Sequence, residues 1–219
     1  GGPLTTGLDG SIYIAGTTKG DLDGQTNNGG DDAFISKFKP DGTKDWTKLL
    51  GTSGYDYGRS LTTGSDGSIY FAGGSNGDLD GQTNSGDDYP DAFISKFYPS
   101  GIKDWTRLFE TADGDGISLD ISSDGSIYIT GVTRGDLNGQ NRIGGNDAYI
   151  SQINLDGNRN WTRILGSFND DVAYDLTTGS DGSIYIAGYT YGDLDGQINL
   201  GSRDAFLSKF NANISLINE

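Results

Sequence analysis

The 219-residue chain contains no cysteine, no histidine and no methionine, and only four prolines. Without cysteine there is neither a disulfide nor a thiolate metal site. Without histidine, Ser-His-Asp and Cys-His catalysis and the usual zinc sites are excluded. Carboxylate, Lys and Tyr are what remain for acid–base work. No run of about 18 apolar residues occurs, so no membrane span is expected. Glutamate is nearly missing too, with Glu110 and Glu219 the only two, so the net charge of −16 is carried by aspartate. A chain this acidic repels phosphate backbones, and nucleic acid is not an expected partner. The chain opens at Gly1-Gly2-Pro3 with no Met and no signal-peptide pattern; it reads as a processed piece or a window from a longer array.

What is present is repetition. Leu4-Thr5-Thr6-Gly7 returns at Leu61-Thr62-Thr63-Gly64, as Leu119-Asp120-Ile121-Ser122, and at Leu176-Thr177-Thr178-Gly179, at offsets of 57, 58 and 57 residues. Each copy holds DGSIY, then GDLDGQ (GDLNGQ in the third), then DAFISKF or a variant; the first three add DWTK, DWTR or NWTR. A fixed period of this length means one supersecondary unit per repeat, stacked on its neighbours. The repeats run 4–60, 61–118, 119–175 and 176–219 within a single domain, 4–219, and the last is truncated.

The 37 glycines and the 33% hydrophobic content suit short strands joined by tight turns. In residues 61–118, strands are predicted at Ser60–Thr63, Ser68–Gly73, Asp91–Phe97 and Asp104–Phe109. Asp66-Gly67 is read as a two-residue turn between the first two. The second strand is apolar on both faces, as a strand covered on both sides must be. Four antiparallel strands per repeat make a β-propeller blade. The fold class is therefore all-β, a propeller of four consecutive blades, forming a four-bladed ring or part of a larger one. Trp46, Trp105 and Trp161, one per complete copy, are expected to fill equivalent gaps between blades. In the clipped copy, Ile214–Ile217 is expected to form at most a stunted outer strand.

The succession DGSIYIAG, DAFISKF and DGxxxWT resembles the bacterial SBBP family of β-propeller repeats over about residues 4–216. The resemblance implies a secreted or cell-surface bacterial protein and supplies no catalytic residues. The family is named for seven-bladed rings, whereas four copies stand here.

The loop between the second and third strands concentrates the chemistry. It carries Asp21, Asp23, Gln25, Asn27 and Asp32 in the first copy and Asp78, Asp80, Gln82, Asn84 and Asp91 in the second. The third has Asp136, Asn138, Gln140 and Asp147, and the fourth Asp193, Asp195, Gln197, Asn199 and Asp204. Alternating oxygens around a glycine suit Ca²⁺, which takes about six to eight oxygen ligands. The spacing departs from an EF-hand: Gly stands at position 4, the closing acid is Asp, and Arg142 occupies position 7 of the third copy. The same residues also suit Asx-turns that cap backbone amides, and both readings stay open. These loops and the blade-to-blade loops, Tyr55-Asp56-Tyr57, Asp113-Gly114-Asp115 and Asn169-Asp170-Asp171, should share one strongly acidic face.

A structural or adhesion scaffold outside the cell or on its surface explains four near-equivalent copies, and is not an enzyme. Its partner would be a protein or a glycan, a second copy in a homo-oligomer, or the continuation of a longer array. A lectin-like propeller is the alternative, with Tyr55, Tyr57, Tyr89 and Tyr191 as stacking residues. A glycosidase needs two unique carboxylates in a central cleft, which symmetry disfavours.

Overall fold

The computed structural model describes residues 2–85, 90–109 and 116–211, with only the backbone of residues 116 and 117. Fifteen strands form four antiparallel sheets among the described residues. The first blade is β1 (Leu4–Thr6), β2 (Ile12–Thr18), β3 (Asp32–Phe38) and β4 (Lys44–Leu50). The second is β5 (Asp56–Thr63), β6 (Ile69–Ser75), β7 (Asp91–Phe97) and β8 (Lys103–Phe109). The third is β9 (Gly116–Ile121), β10 (Ile127–Thr133), β11 (Asp147–Ile153) and β12 (Arg159–Leu165). The fourth has three described strands, β13 (Asp171–Thr178), β14 (Ser183–Thr190) and β15 (Asp204–Asn211). The four-blade propeller architecture read from the repeats is thus observed. The predicted strand at Ile214–Ile217 lies outside the described residues.

Two local expectations are corrected. The first strand of the second blade begins at Asp56, four residues before Ser60, and a bulge between Gly58 and Ser60 lets the extra residues join. Tyr55-Asp56-Tyr57 and Asn169-Asp170-Asp171 are therefore only partly loop; Asp113-Gly114-Asp115 lies outside the described residues. The Asp66-Gly67 turn is longer than two residues. Gly64 N donates to Ser68 O and Gly67 N to Gly64 O, which leaves Gly67 at φ +80°. That is a type I turn followed by a left-handed glycine.

Each blade turns one side chain set forward and another back. Tyr13, Ala15, Ala33 and Ile35 of the first blade meet Leu61, Ile69, Phe71, Leu79, Phe93 and Phe97 of the second, all buried. The next two junctions repeat this with Tyr70 and Tyr128 at the place of Tyr13. Fully burying a large apolar side chain contributes about 1.5–3 kcal/mol, so these junctions are the core. Each Trp packs at its junction as expected, beside the forward Tyr at 5.9–6.1 Å. Trp46 and Trp105 each donate an indole N–H to a carbonyl of the following blade, Pro99 and Leu155, at 3.2 Å. Packing joins blades one to two, two to three and three to four; among the described residues no such core joins four to one.

Candidate functional site

The acidic loop folds around one motif in every copy. Leu22 and Gln25 exchange both backbone hydrogen bonds, as do Leu79 and Gln82, Leu137 and Gln140, and Leu194 and Gln197. Between them, position 3 (Asp23, Asp80, Asn138, Asp195) lies at φ +50 to +52° and the glycine after it at +76 to +77°. Two successive left-handed residues make a type I′ turn, which selects Asp-Gly or Asn-Gly. The two-residue Asp-Gly turn thus exists, but inside the long loop.

The side chains around that turn serve it. Asp21, Asp78, Asp136 and Asp193 each accept the backbone amide six residues on, from Asn27, Asn84, Arg142 and Asn199, at 2.8–3.0 Å. Asn27, Asn84 and Asn199 donate their side-chain amides to the carbonyls of Thr18, Ser75 and Thr190. Gln82 clamps the outer strand, donating to Thr106 O at 2.7 Å and accepting from Leu108 N at 3.0 Å. Asp23 and Asp80 reach outward to Lys44 and Lys103, and Asp23 also takes the Thr47 hydroxyl. The closing acids Asp32, Asp91, Asp147 and Asp204 accept amides from Asn28, Ser85, Ile143 and Leu200 at 2.7–2.9 Å. In the second copy, positions 1, 3, 5, 7 and 12 therefore point to separate partners. No group of three or more acidic residues arranged to hold an ion occurs among the described residues.

A second set of carboxylates lies at the blade junctions. The 2–3 loop and the blade-to-blade segment do share one rim: Asp56 N donates to Asp31 O, and Asp171 N to Asn146 O, both at 2.6 Å. Asp56 accepts the amide and hydroxyl of Thr52 on Oδ2, and Asp171 those of Ser167. Asp32 packs so closely on Gly51 that a Cβ there would lie 2.2 Å from its carboxylate; at Gly166 and Asp147 the figure is 2.1 Å. Asp32, Asp56, Asp147 and Asp171 are 0% exposed, and the Oδ1 of each takes no hydrogen bond. Burial raises the pKa of Asp32, Asp56 and Asp147 above the usual 3.8, against the hydrogen bonds that oppose it. The repeat pattern located Asp32 and Asp147; Asp56 and Asp171 were missed as buried groups, although each opens the strand that carries its copy's Leu-Thr-Thr.

The aromatic candidates separate. Tyr55 is exposed and Tyr57 half-buried, while Tyr89 lies outside the described residues. Tyr191 joins a cluster the motifs did not indicate. Its ring and that of Tyr174 both lie 5.5 Å from Tyr189, and the Arg203 guanidinium sits 4.7 Å over Tyr189. Phe168, 90% exposed, lines a shallow cleft with Asn169, Asp170 and Tyr191.

Comparison with known proteins agrees with this architecture. The family described as a beta-propeller repeat, SBBP, matches residues 45–80, from the outer strand of one blade to the acidic loop of the next. The chain is 29% identical to "Regulatory protein FlaEY" of Caulobacter vibrioides (strain ATCC 19089 / CIP 103742 / CB 15), across 98% of this chain and 24% of that protein. It therefore spans about a quarter of the curated relative's length. Among solved structures, an ulvan lyase of a new polysaccharide lyase family, bound to -[GlcA(1-4)Rha3S]-, superposes with a TM-score of 0.55 at 12% identity. The match covers 96% of this chain and 55% of the lyase. A gluconolactonase-like structure gives a TM-score of 0.47 at 13% identity, over 94% of this chain and 57% of that one. At 12% identity the likeness to the lyase is one of fold.

Proposed function

We propose, from a chain carrying the SBBP β-propeller repeat, that it works as a non-enzymatic structural or adhesion module outside a bacterial cell or on its surface. The observation that carries this reading is the equal treatment of the four copies. Among the described residues the first acid of each loop, Asp21, Asp78, Asp136 and Asp193, is spent on the same turn in all four copies. An antibody against the chain should label intact cells of the source bacterium. Labelling that appears only after lysis sinks the surface assignment.

Ca²⁺ belongs to this proposal as a rigidifying ion. The observation in its favour is the set of buried Oδ1 atoms of Asp32, Asp56, Asp147 and Asp171 that take no hydrogen bond. A buried carboxylate oxygen left without a hydrogen bond is costly, and a hard cation would relieve that cost. Of the oxygen array, the closing acids Asp32 and Asp147 fit such a role. A chelator-treated sample should melt higher with added Ca²⁺ by mass action, and a melting curve indifferent to millimolar Ca²⁺ removes the ion.

The lectin-like reading is favoured by one feature, the exposed Phe168 and Tyr191 that line one cleft, with Tyr191 packed on the Tyr189 ring that Arg203 covers. Aromatic faces and a guanidinium suit a sugar ring and an acidic substituent. A glycan array tests it: a binding signal lost in both Phe168→Ala and Tyr191→Ala supports it, and a signal indifferent to both rules that pocket out.

A further inference from the structure

Three Asn-Gly pairs occur in the chain, Asn28-Gly29, Asn76-Gly77 and Asn138-Gly139, and the fold treats the third differently. Gly29 N donates to Asn27 Oδ1 at 3.0 Å, and a Cβ on Gly29 would lie 2.4 Å from the Ser53 backbone. The backbone and side-chain amides of Asn28 are held as well, by Asp32 and by the Gly51 carbonyl. Gly77 N donates to Ser75 Oγ at 3.4 Å, and a Cβ on Gly77 would lie 2.5 Å from Thr52 Oγ1. Asn138, by contrast, is exposed at the corner of its type I′ turn. Among the described residues, neither the Asn138 side chain nor the Gly139 N–H makes a hydrogen bond, and nothing lies within 4 Å of a Cβ built on Gly139.

The third copy is also shaped to take a carboxylate at this position. The equivalent residues are Asp23, Asp80 and Asp195, and all four lie at φ +50 to +52°, a conformation that Asn and Asp tolerate alike. Asp23 and Asp80 pair with Lys44 and Lys103, the first residues of β4 and β8. Arg159 opens β12 in the same register, opposite Ile153 as the two lysines stand opposite Phe38 and Phe97. The third copy thus keeps the cation of the pair, with an amide in the place of its acid.

We infer that Asn138-Gly139 is a site of spontaneous deamidation, and that the carboxylate it generates pairs with Arg159. Opening of the Leu137–Gln140 hydrogen-bonded pair, a local event in an exposed turn, brings the Gly139 nitrogen onto Asn138 Cγ. Glycine has no Cβ to hinder that approach. The N–Cγ bond forms, and the side-chain nitrogen leaves as ammonia with the proton that the backbone nitrogen gives up. Water then opens the resulting succinimide. Attack at the Cγ carbonyl leaves aspartate, whereas attack at the backbone carbonyl leaves isoaspartate, whose extra backbone carbon does not fit the two-residue turn. At Asn28 and Asn76 the same opening must also break the packing against Ser53 or Thr52. This chemistry is independent of the proposed scaffold role.

The experiment is peptide mapping by mass spectrometry of the folded 219-residue chain during warm incubation at mildly alkaline pH. Position 138 should show the amide-to-acid mass increase first, with Asn28 and Asn76 still intact when half of it has converted. In urea the three sites should converge, because each is followed by glycine and only the fold sets them apart. Asn138→Gln, whose longer side chain does not close the five-membered ring, should abolish the conversion in its peptide. A position 138 that converts no faster than the other two in the folded chain overturns the inference, as does a conversion that persists in Asn138→Gln. A crystal structure of the Asn138→Asp variant should set the new carboxylate against the Arg159 guanidinium, the geometry that such pairs favour. A carboxylate turned to solvent there overturns the pairing.

Discussion

The two rims of the blades use the same residue type in opposite ways. On the hairpin rim, Asp9, Asp124 and Asp181 sit exposed or half-exposed and accept the amide of the serine two residues on at 2.9–3.0 Å. Those hydrogen bonds, with the Ser122 hydroxyl foremost at Asp124, lower their pKa values. On the junction rim, Asp32, Asp56 and Asp147 are buried between blades, and burial raises theirs. An aspartate before a glycine is a turn former wherever it occurs. An aspartate at a blade junction takes its character from the neighbour that covers it.

The largest contrast should come from adding one methyl group to each rim. Gly51→Ala and Gly166→Ala drive a Cβ into the buried carboxylates of Asp32 and Asp147, and urea denaturation should show a loss of about 2–3 kcal/mol each, the upper part of the range for overpacking. Gly42→Ala meets nothing and suffers only its positive φ of +84°, a cost of about 1 kcal/mol. Equal losses at the two rims would erase the distinction.

Next is Asp56→Ala, which strips the Thr52 amide and hydroxyl of their acceptor and should cost about 1–3 kcal/mol. Asp56→Asn keeps an acceptor without a charge, so at neutral pH it should lose far less than Asp56→Ala.

The pH dependence separates the rims by sign. For the buried set the folded pKa lies above 3.8, so the native state holds more protons than the unfolded one between 3.8 and that raised value. Stability from these groups is full below pH 3.8 and is lost as pH rises through their folded pKa. For the hairpin set, stability is present above pH 3.8 and is lost as pH falls through the lowered pKa. Denaturation series across the acid range should show Asp56→Asn flattening the first slope and Asp181→Asn the second. The smallest effect is the melting change of Asp181→Ala at neutral pH, which should fall below that of every junction variant.

The architecture was legible because the interior repeats itself in the sequence. Ile69-Tyr70-Phe71-Ala72 is apolar on both faces, and only a strand sandwiched between sheets needs that pattern. Trp46 and Trp105 marked the junctions for the same reason. The start of β5 was not legible, since a bulge at Gly58 depends on the partner strand and leaves no composition of its own. The loop residues were found by spacing, yet spacing cannot tell which way an oxygen points. The backbone reversal at Asp23-Gly24 sends Asp21 and Asp23 to different partners. Asp56 and Asp171 were legible as polar blade-to-blade residues, but their burial was not, because it depends on the neighbouring blade.

The pairing of each tryptophan with one tyrosine at one junction has an optical consequence. Trp46, Trp105 and Trp161 are the only indoles in the chain, and each reports on a different seam between blades. Three variants that each keep a single indole and replace the other two by phenylalanine would turn fluorescence into a seam-by-seam record of unfolding. Tyrosine-sensitised emission from the ring about 6 Å away, a separation suited to the aromatic contact itself, would fade as that seam opens. Coincident traces would mean that the blades melt as one body, and staggered traces that the array unzips from an end, as stacked repeats coupled only to their neighbours are able to do.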